Sequence, residues 1–409
     1  MTRAVAGIPP HVAIPPIVGG RMSLNLFVAL VGPSGGGKGG AESAGISGIK
    51  LGGPRVESVP LGSGEGASRT FRPWGTTEGS RNKVSSAIFT VPEVDTLSAL
   101  IGRQGSTLSA ELRKLYSGEA LGFANAGKDT RNMVPSHSYR ACVVVGVQPL
   151  RSHSLLGASD GGLPQRFIWL PTSDPGAPDK RPPDPGIHEV PALVWPGRPV
   201  GHLQLVNDDA DILVPEHVRD AIDANRLAIL RQDAGANPMD GHALLCRLKV
   251  AVALMALDAR TGLNDDDWNL AEQIMAVSEH TRAHCLNALR HHRRSQNTAR
   301  ALASDERDEI VADRKCQRAR EAILRKLVGA RQLTSGELRR SLKIDIRSYY
   351  DAALTELLDT QEICVSMAKR GNHEVHVYYR YTDRDSQVNR VGNTCTPSTR
   401  VLDARAASL

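Results

Sequence analysis

The sequence predicts an α/β chain with a parallel sheet in its first third, then an all-α region, then a small unit of helices and a hairpin. Three observations lead there. Short apolar runs separated by turn residues alternate with a helix-periodic segment in the first third, which is the order of a parallel sheet. Nine of the 24 prolines then fall between Pro171 and Pro199, where neither a helix nor a central strand can continue. Beyond them, apolar residues recur at helical spacing.

Taken in order, Leu24–Val31, Ala87–Val91, Ala141–Val147 and Phe167–Leu170 are short apolar runs of strand length. Between the second and third, Ser106–Tyr116 places Leu108, Leu112 and Leu115 on one helical face. The spacing predicts helices over Pro215–Arg231, His242–Asp258 and Asp265 to about His292, the last with N-caps at Asn264 and Asp265. A charged helix, Asp305–Arg320, follows the basic run His291–Arg294, and Glu321–Val328 follows that. Thr334 and Glu337 form a capping box for a helix through Leu342, and Asp345 caps a third helix to Asp359. A hairpin, Ile363–Met367 and Val375–Tyr379, turns at Lys369–Asn372.

Over 409 residues, 41% hydrophobic and 23% charged content excludes a wholly disordered or collagen-like chain. The formal net charge of +6 is only mildly basic. No apolar run approaches the roughly 20 residues of a membrane span, and the start of the chain lacks a secretory apolar region, so a cytoplasmic protein is expected. The six cysteines show no C-x-x-C spacing and read as reduced thiols. His280, His284 and Cys285 share a helical turn with the spacing of a metal site, but no further ligand cluster accompanies them.

The strongest motif is Gly32-Pro-Ser34-Gly35-Gly36-Gly37-Lys38-Gly39, between a strand and a short helix. It fits G-x-x-x-x-G-K, with Gly39 where a Mg²⁺-binding hydroxyl belongs. Glycines let successive backbone N–H groups face one phosphate chain, a helix N-terminus adds partial positive charge, and Lys38 supplies a full one. The run Ala87–Val91 ends in Pro92-Glu93-Val-Asp95, two carboxylates at the carboxyl edge of a strand. Pro92 stands where a first acid would hold the ion, Glu93 suits orientation of an attacking water, and Asp95 is the candidate metal ligand. A solvated turn with a helix cap is the competing reading of this pair. Gln148 ends the run Ala141–Val147 as a polar strand tip, and Arg166 precedes the last strand, where a finger reaching a neighbouring subunit competes with a surface salt bridge. Gly62–Gly66 reads equally as a plain loop or as part of the site's lining.

The C-terminal arrangement of three helices and a basic-tipped hairpin resembles a winged helix. In that fold the third helix enters the major groove and the wing touches the backbone, so Arg347, Ser348, Tyr350, Lys369 and Arg370 are the candidate DNA contacts. A protein-protein adaptor is the other use of such a fold.

The order of these motifs, from Gly32–Gly39 through Glu93, Gln148 and Arg166 to a helical lid and winged helix, resembles RecA-like or AAA-like P-loop ATPases of phage and mobile-element primase-helicase replication proteins. Composition and periodicity divide the chain into a core over 1–171, a proline-rich linker or arm over 172–200, an α-helical lid over 201–300, a winged helix over 301–380 and a polar tail over 381–409. The resemblance implies ATP and Mg²⁺ as cofactors, single-stranded or duplex DNA as partner, a homo-oligomeric ring and helicase-like translocation. In that scheme Lys38 binds phosphate, Glu93 positions water, Gln148 senses phosphate and Arg166 acts in trans. With both usual Mg²⁺ anchors missing, a non-hydrolysing, nucleotide-sensing DNA-binding regulator or loader stands as the alternative.

Overall fold

The computed structural model describes residues 1–53, 56–72, 84–123, 132–157, 162–195, 211–233, 242–329, 332–371 and 373–381. Apart from Tyr381, the expected tail lies outside them, as does part of the expected linker and lid. The chain divides into two compact units, Met1–Arg293 and Arg294–Leu409.

In the first unit, α1 (Thr2–Ala6) precedes β1 (Phe27–Val31), α2 (Lys38–Gly48) and a short β2 (Ile49–Leu51). Then come β3 (Glu57–Pro60), α3 (Gly64–Thr70), β4 (Ser86–Val91), α4 (Val94–Ile101) and α5 (Leu108–Ser117). A small hairpin of β5 (Leu121–Phe123) and β6 (Asn132–Val134) leads to β7 (Arg140–Val147), α6 (His153–Leu156), β8 (Phe167–Pro171) and β9 (His188–Val190). Strand β9 pairs with β2, so the proline-rich stretch contributes one strand. Helices α7 (Glu216–Arg231), α8 (Ala243–Leu257) and the start of α9 (Asp265–Gly329) complete the unit.

Five strands form one sheet in the order β3-β4-β7-β1-β8, every pair parallel. Both faces are covered, so the strands are apolar on both sides. Phe27, Ala29, Phe89, Val143, Val145 and Trp169 pack under α3, α4 and α5. Val28, Ile88, Cys142 and Ile168 share the second core with α1, α8 and the first turns of α9. The helices expected as a separate lid are therefore not divided from the sheet: Leu248, Val250, Ala251, Val252 and Ala253 of α8 are fully buried in that second core. Buried Arg140, at the start of β7, donates to the carbonyls of Ile8, Pro9 and Val12 and to Ser23 Oγ, tying down the chain ahead of β1.

The helices expected separately over Asp265–His292, Asp305–Arg320 and Glu321–Val328 are one α9. No glycine or proline interrupts residues 265–328, so nothing in the backbone stops it. Its start is capped reciprocally, with Asp267 N–H donating to Asn264 Oδ1 at 2.9 Å and Asn264 N–H to Asp267 Oδ2 at 3.0 Å. Trp268 and Ala271 are buried in the first unit, and Ala319, Ile323 and Leu327 in the core of the second.

The second unit adds β10 (Leu333–Thr334), α10 (Ser335–Ser341), a 3₁₀ stretch Ile344–Tyr349, α11 (Tyr350–Asp359), β11 (Ile363–Arg370) and β12 (His373–Arg380). The capping box of Thr334 and Glu337 is present. Strands β10, β12 and β11 make a three-stranded antiparallel sheet.

Candidate functional site

The glycine-rich loop leaves the carboxyl end of β1, between the ends of β7 and β8. Gly32 N–H donates to Val147 O at 2.9 Å and Thr172 N–H to Val31 O at 2.8 Å, which fixes both flanks. Gly35 and Gly37 take φ of +72° and +76°, the left-handed region where other residues are strained. Gly32 is required for another reason: a Cβ there would lie 2.1 Å from Thr172 Oγ1. No side chain caps the N-terminus of α2, so no side chain competes for its first-turn N–H groups, which lie at the positive end of the helix dipole directly after the loop. Lys38 Nζ donates to Gly32 O at 3.1 Å and Pro33 O at 2.9 Å, holding its charge within the loop. Ser34 and Gly39 are exposed.

Parallel pairing brings the predicted carboxylate and amide to the same edge. A Cβ on Gly146 of β7 would sit 2.0 Å from Pro92 O and 3.6 Å from Lys38 Cε, so only glycine lets the end of β4 and the lysine approach β7 this closely. One turn further, Gln148 Nε2 donates to Glu93 Oε2 at 3.1 Å. Glu93 occupies the N-cap position of α4 without making a side-chain capping hydrogen bond, and Asp95 lies in the first turn. Asp95 is half exposed, with Arg151 Nε 3.8 Å from its carboxylate, a cation beside the group expected to hold a metal ion.

Thr172 escaped the sequence reading. Its Oγ1 lies 2.7 Å from Gly36 O and 3.3 Å from Val31 O, so one hydroxyl braces the loop from β8. The Gly62–Gly66 segment opens α3, with Ser63 Oγ accepting from Gly66 N–H. It starts at the same sheet edge, because Leu61 N–H donates to Thr90 O. Glu65 is held below the usual carboxylate range mainly by its own backbone amide, with the Thr107 and Ser63 hydroxyls adding.

Arg166 lies elsewhere. It precedes β8, at the amino edge of the sheet, about 16 Å of strand away from the loop. Its Nη1 donates to Gly162 O at 2.7 Å, its guanidinium is 5.8 Å from the Tyr116 ring centre, and burial lowers its pKa. The fork therefore cannot reach its own chain's loop.

In the second unit the third helix differs from expectation. Tyr350 is 1% exposed, in the core beside Ala353, Leu354 and Leu357, with its hydroxyl 3.0 Å from Ser335 Oγ. A ring so placed offers no surface to DNA, which corrects its assignment as a contact. Within α11, Tyr350, Ala353, Leu354 and Leu357 stand at i, i+3, i+4 and i+7, so Tyr350 begins the inward stripe of that helix. Helix α11 carries no Lys or Arg and exposes Asp351, Thr355 and Asp359. Arg347 donates to Leu342 O at 3.0 Å, and Arg370 pairs with Glu337 at 2.8 Å. Ser348 and Lys369 are exposed.

Glycine-rich loop, helix N-terminus and lysine together suit an oligophosphate, with a carboxylate and an amide beside it for a water or a terminal phosphate. They suit a divalent cation less well, since Gly39 has no hydroxyl and Asp95 faces Arg151. Among the described residues no cluster of three or more His, Cys, Asp or Glu forms. His280 and His284 are exposed while Cys285 is buried, which separates that turn's ligands. Among the described residues, no helix is long and apolar enough to cross a membrane. Compared with protein-family models and with curated proteins, the chain matches none.

Proposed function

We propose that the first unit is a P-loop nucleotide-binding domain of the RecA-like or AAA-like kind, hydrolysing ATP to drive a helicase-like DNA replication activity. The observation that carries this reading is the meeting of Lys38, Glu93 and Gln148 at one sheet edge, with the Gln148 strand β7 between the loop strand β1 and the Glu93 strand β4. Lys38 and the loop amides would hold the β and γ phosphates. Glu93 would orient the attacking water, and Gln148, now on Glu93, would turn to the γ-phosphate. Mg²⁺, bound through the phosphates and few protein groups, would neutralise developing charge. With Arg166 at the opposite edge, the finger role requires a neighbouring copy in a ring.

The second unit, read as a winged helix, would meet DNA through its exposed Ser348 and Lys369, with Arg370 released from Glu337. An ATPase assay with and without single-stranded DNA, on the natural chain and Lys38→Ala, tests the whole reading. DNA-stimulated turnover lost in the variant supports it, and turnover indifferent to Lys38 refutes it. The absent Mg²⁺ anchors at Gly39 and Pro92 and the Asp95–Arg151 approach favour a second reading: a nucleotide-sensing DNA-binding regulator or loader without turnover. Tight ATP binding without hydrolysis, alongside sequence-specific duplex binding, would select it.

A further inference from the structure

Helix α2 follows the loop directly, and its own side chains do little to hold it. None of its 11 residues is buried, and it contains Gly39, Gly40, Gly45 and Gly48. A Cβ at any of these four would meet nothing within 4 Å. Beneath the helix a cavity of about 210 Å³ opens onto the sheet, lined by Ala41, Gly45 and Ile46 from α2 and by Val28, Leu30 and Val144 from the strands. An element with this composition and so few apolar contacts belongs to the low-stability end of a fold.

Something else must keep its axis aimed at the loop, and the structure places Arg3 there. Arg3 Nη1 donates to Gly45 O at 3.3 Å, Ile46 O at 3.1 Å and Ile49 O at 2.9 Å. The first two are last-turn carbonyls with no partner inside the helix, at the end where the dipole favours a cation. Arg3 is itself mounted on a firm base, because Ala4, Val5 and Ala6 of α1 are buried in the second core. The loop fixes one end of α2, and this guanidinium fixes the other.

We infer that Arg3 is a positioning residue for the glycine-rich loop, acting through the C-terminus of α2 about 12 Å from Lys38. It sets how well the first-turn N–H groups of α2 are presented to phosphate without touching the ligand. The inference rests on the nucleotide-binding reading above.

The test uses the full chain with Arg3→Ala, Arg3→Lys and the double variant Arg3→Ala/Gly45→Ala. The probe is Mg²⁺ with a fluorescent ATP analogue, and hydrogen exchange is followed without nucleotide. Arg3→Ala is expected to weaken binding about tenfold, the scale of a cation lost from a helix C-terminus. It should also speed exchange within residues 39–48 while α8 stays protected. Lysine at position 3 should restore most of the affinity, since one donor group makes all three contacts. So should Gly45→Ala, which stiffens α2 in open space. Unchanged affinity in Arg3→Ala, or faster exchange spread equally through α8, would overturn the inference. If the natural chain binds no nucleotide, the functional reading fails instead. The exchange experiment then decides alone, with acceleration confined to 39–48 supporting the clamp and unchanged exchange refuting it.

Discussion

Helices α2 and α8 lie over the same face of the same sheet and are built by opposite rules. In α8, nine of 15 residues are buried and none is glycine. In α2 none is buried and four of 11 are glycine, about 1 kcal/mol each less favourable than alanine. One helix is held by its side chains throughout its length, the other by contacts at its two ends. The difference separates what keeps this unit folded from what lets it meet a ligand. The packed helix supplies stability, and the glycine-rich one leaves its first-turn amides and its surroundings open for a large anion.

Four experiments would break or sharpen that contrast. The largest effect is expected from Leu248→Ala in α8, a fully buried side chain whose removal should lower unfolding free energy by about 3 kcal/mol in denaturant titration. The half-exposed Ile46→Ala in α2 should change it by less than about 0.5 kcal/mol. If the two losses were equal, the contrast would be mistaken.

Next is Lys38→Ala, expected to reduce ATP affinity about a hundredfold by calorimetry. Its unfolding midpoint should stay where it was, since Lys38 Nζ bonds only loop carbonyls.

A smaller effect concerns His242, immediately ahead of α8 and packed edge-on to Tyr116. Burial, with Arg166 and Lys249 adding, pushes its pKa from the ordinary 6.5 down to about 4. The unfolded chain therefore takes up the proton first, so this contribution is whole above about pH 6.5 and drains away as the pH falls towards 4. Between pH 7 and 4.5, melting should drop further in the natural chain than in His242→Phe, by on the order of 5 °C. Equal drops would remove His242 from the account.

The smallest is Gly48→Ala in α2. A methyl meets open space there, and stability should rise by about 0.5–1 kcal/mol. A loss instead would mean that α2 needs its glycines for more than slackness.

Much of this architecture is legible in the sequence. The four longest strands of the parallel sheet stand out as apolar runs, because a parallel sheet covered on both faces leaves no polar alternation to confuse. Glu57–Pro60 does not, being a four-residue edge strand with two polar side chains. Helix α9 is divided too often in the sequence reading because changes in charge along residues 293–320 imitate boundaries, whereas a change of charge alone does not end a helix. Glu93 and Gln148 can be placed because each closely follows a strand end, and Lys38 because it opens the helix after the glycine-rich loop, where local sequence dictates position. Thr172 and Arg3 cannot, since they reach the loop and α2 from 136 and 42 residues away through strand pairing and core packing. Tyr350 stands three, four and seven residues ahead of Ala353, Leu354 and Leu357, a core spacing that its place among the candidate DNA contacts overlooks.

The floor of the glycine-rich loop is a single rung of the sheet, where Val31 stands level with Val147 on one side and Pro171 on the other. A codon gained or lost within Phe167–Pro171 would slide Thr172 off that rung. It would also turn Phe167, Ile168 and Trp169 inside out, swapping the layer each one faces. Natural variation in the length of this chain should therefore accumulate in the connections between strands, and the spelling of β8 should be intolerant of a frame slip that leaves its hydrophobicity intact.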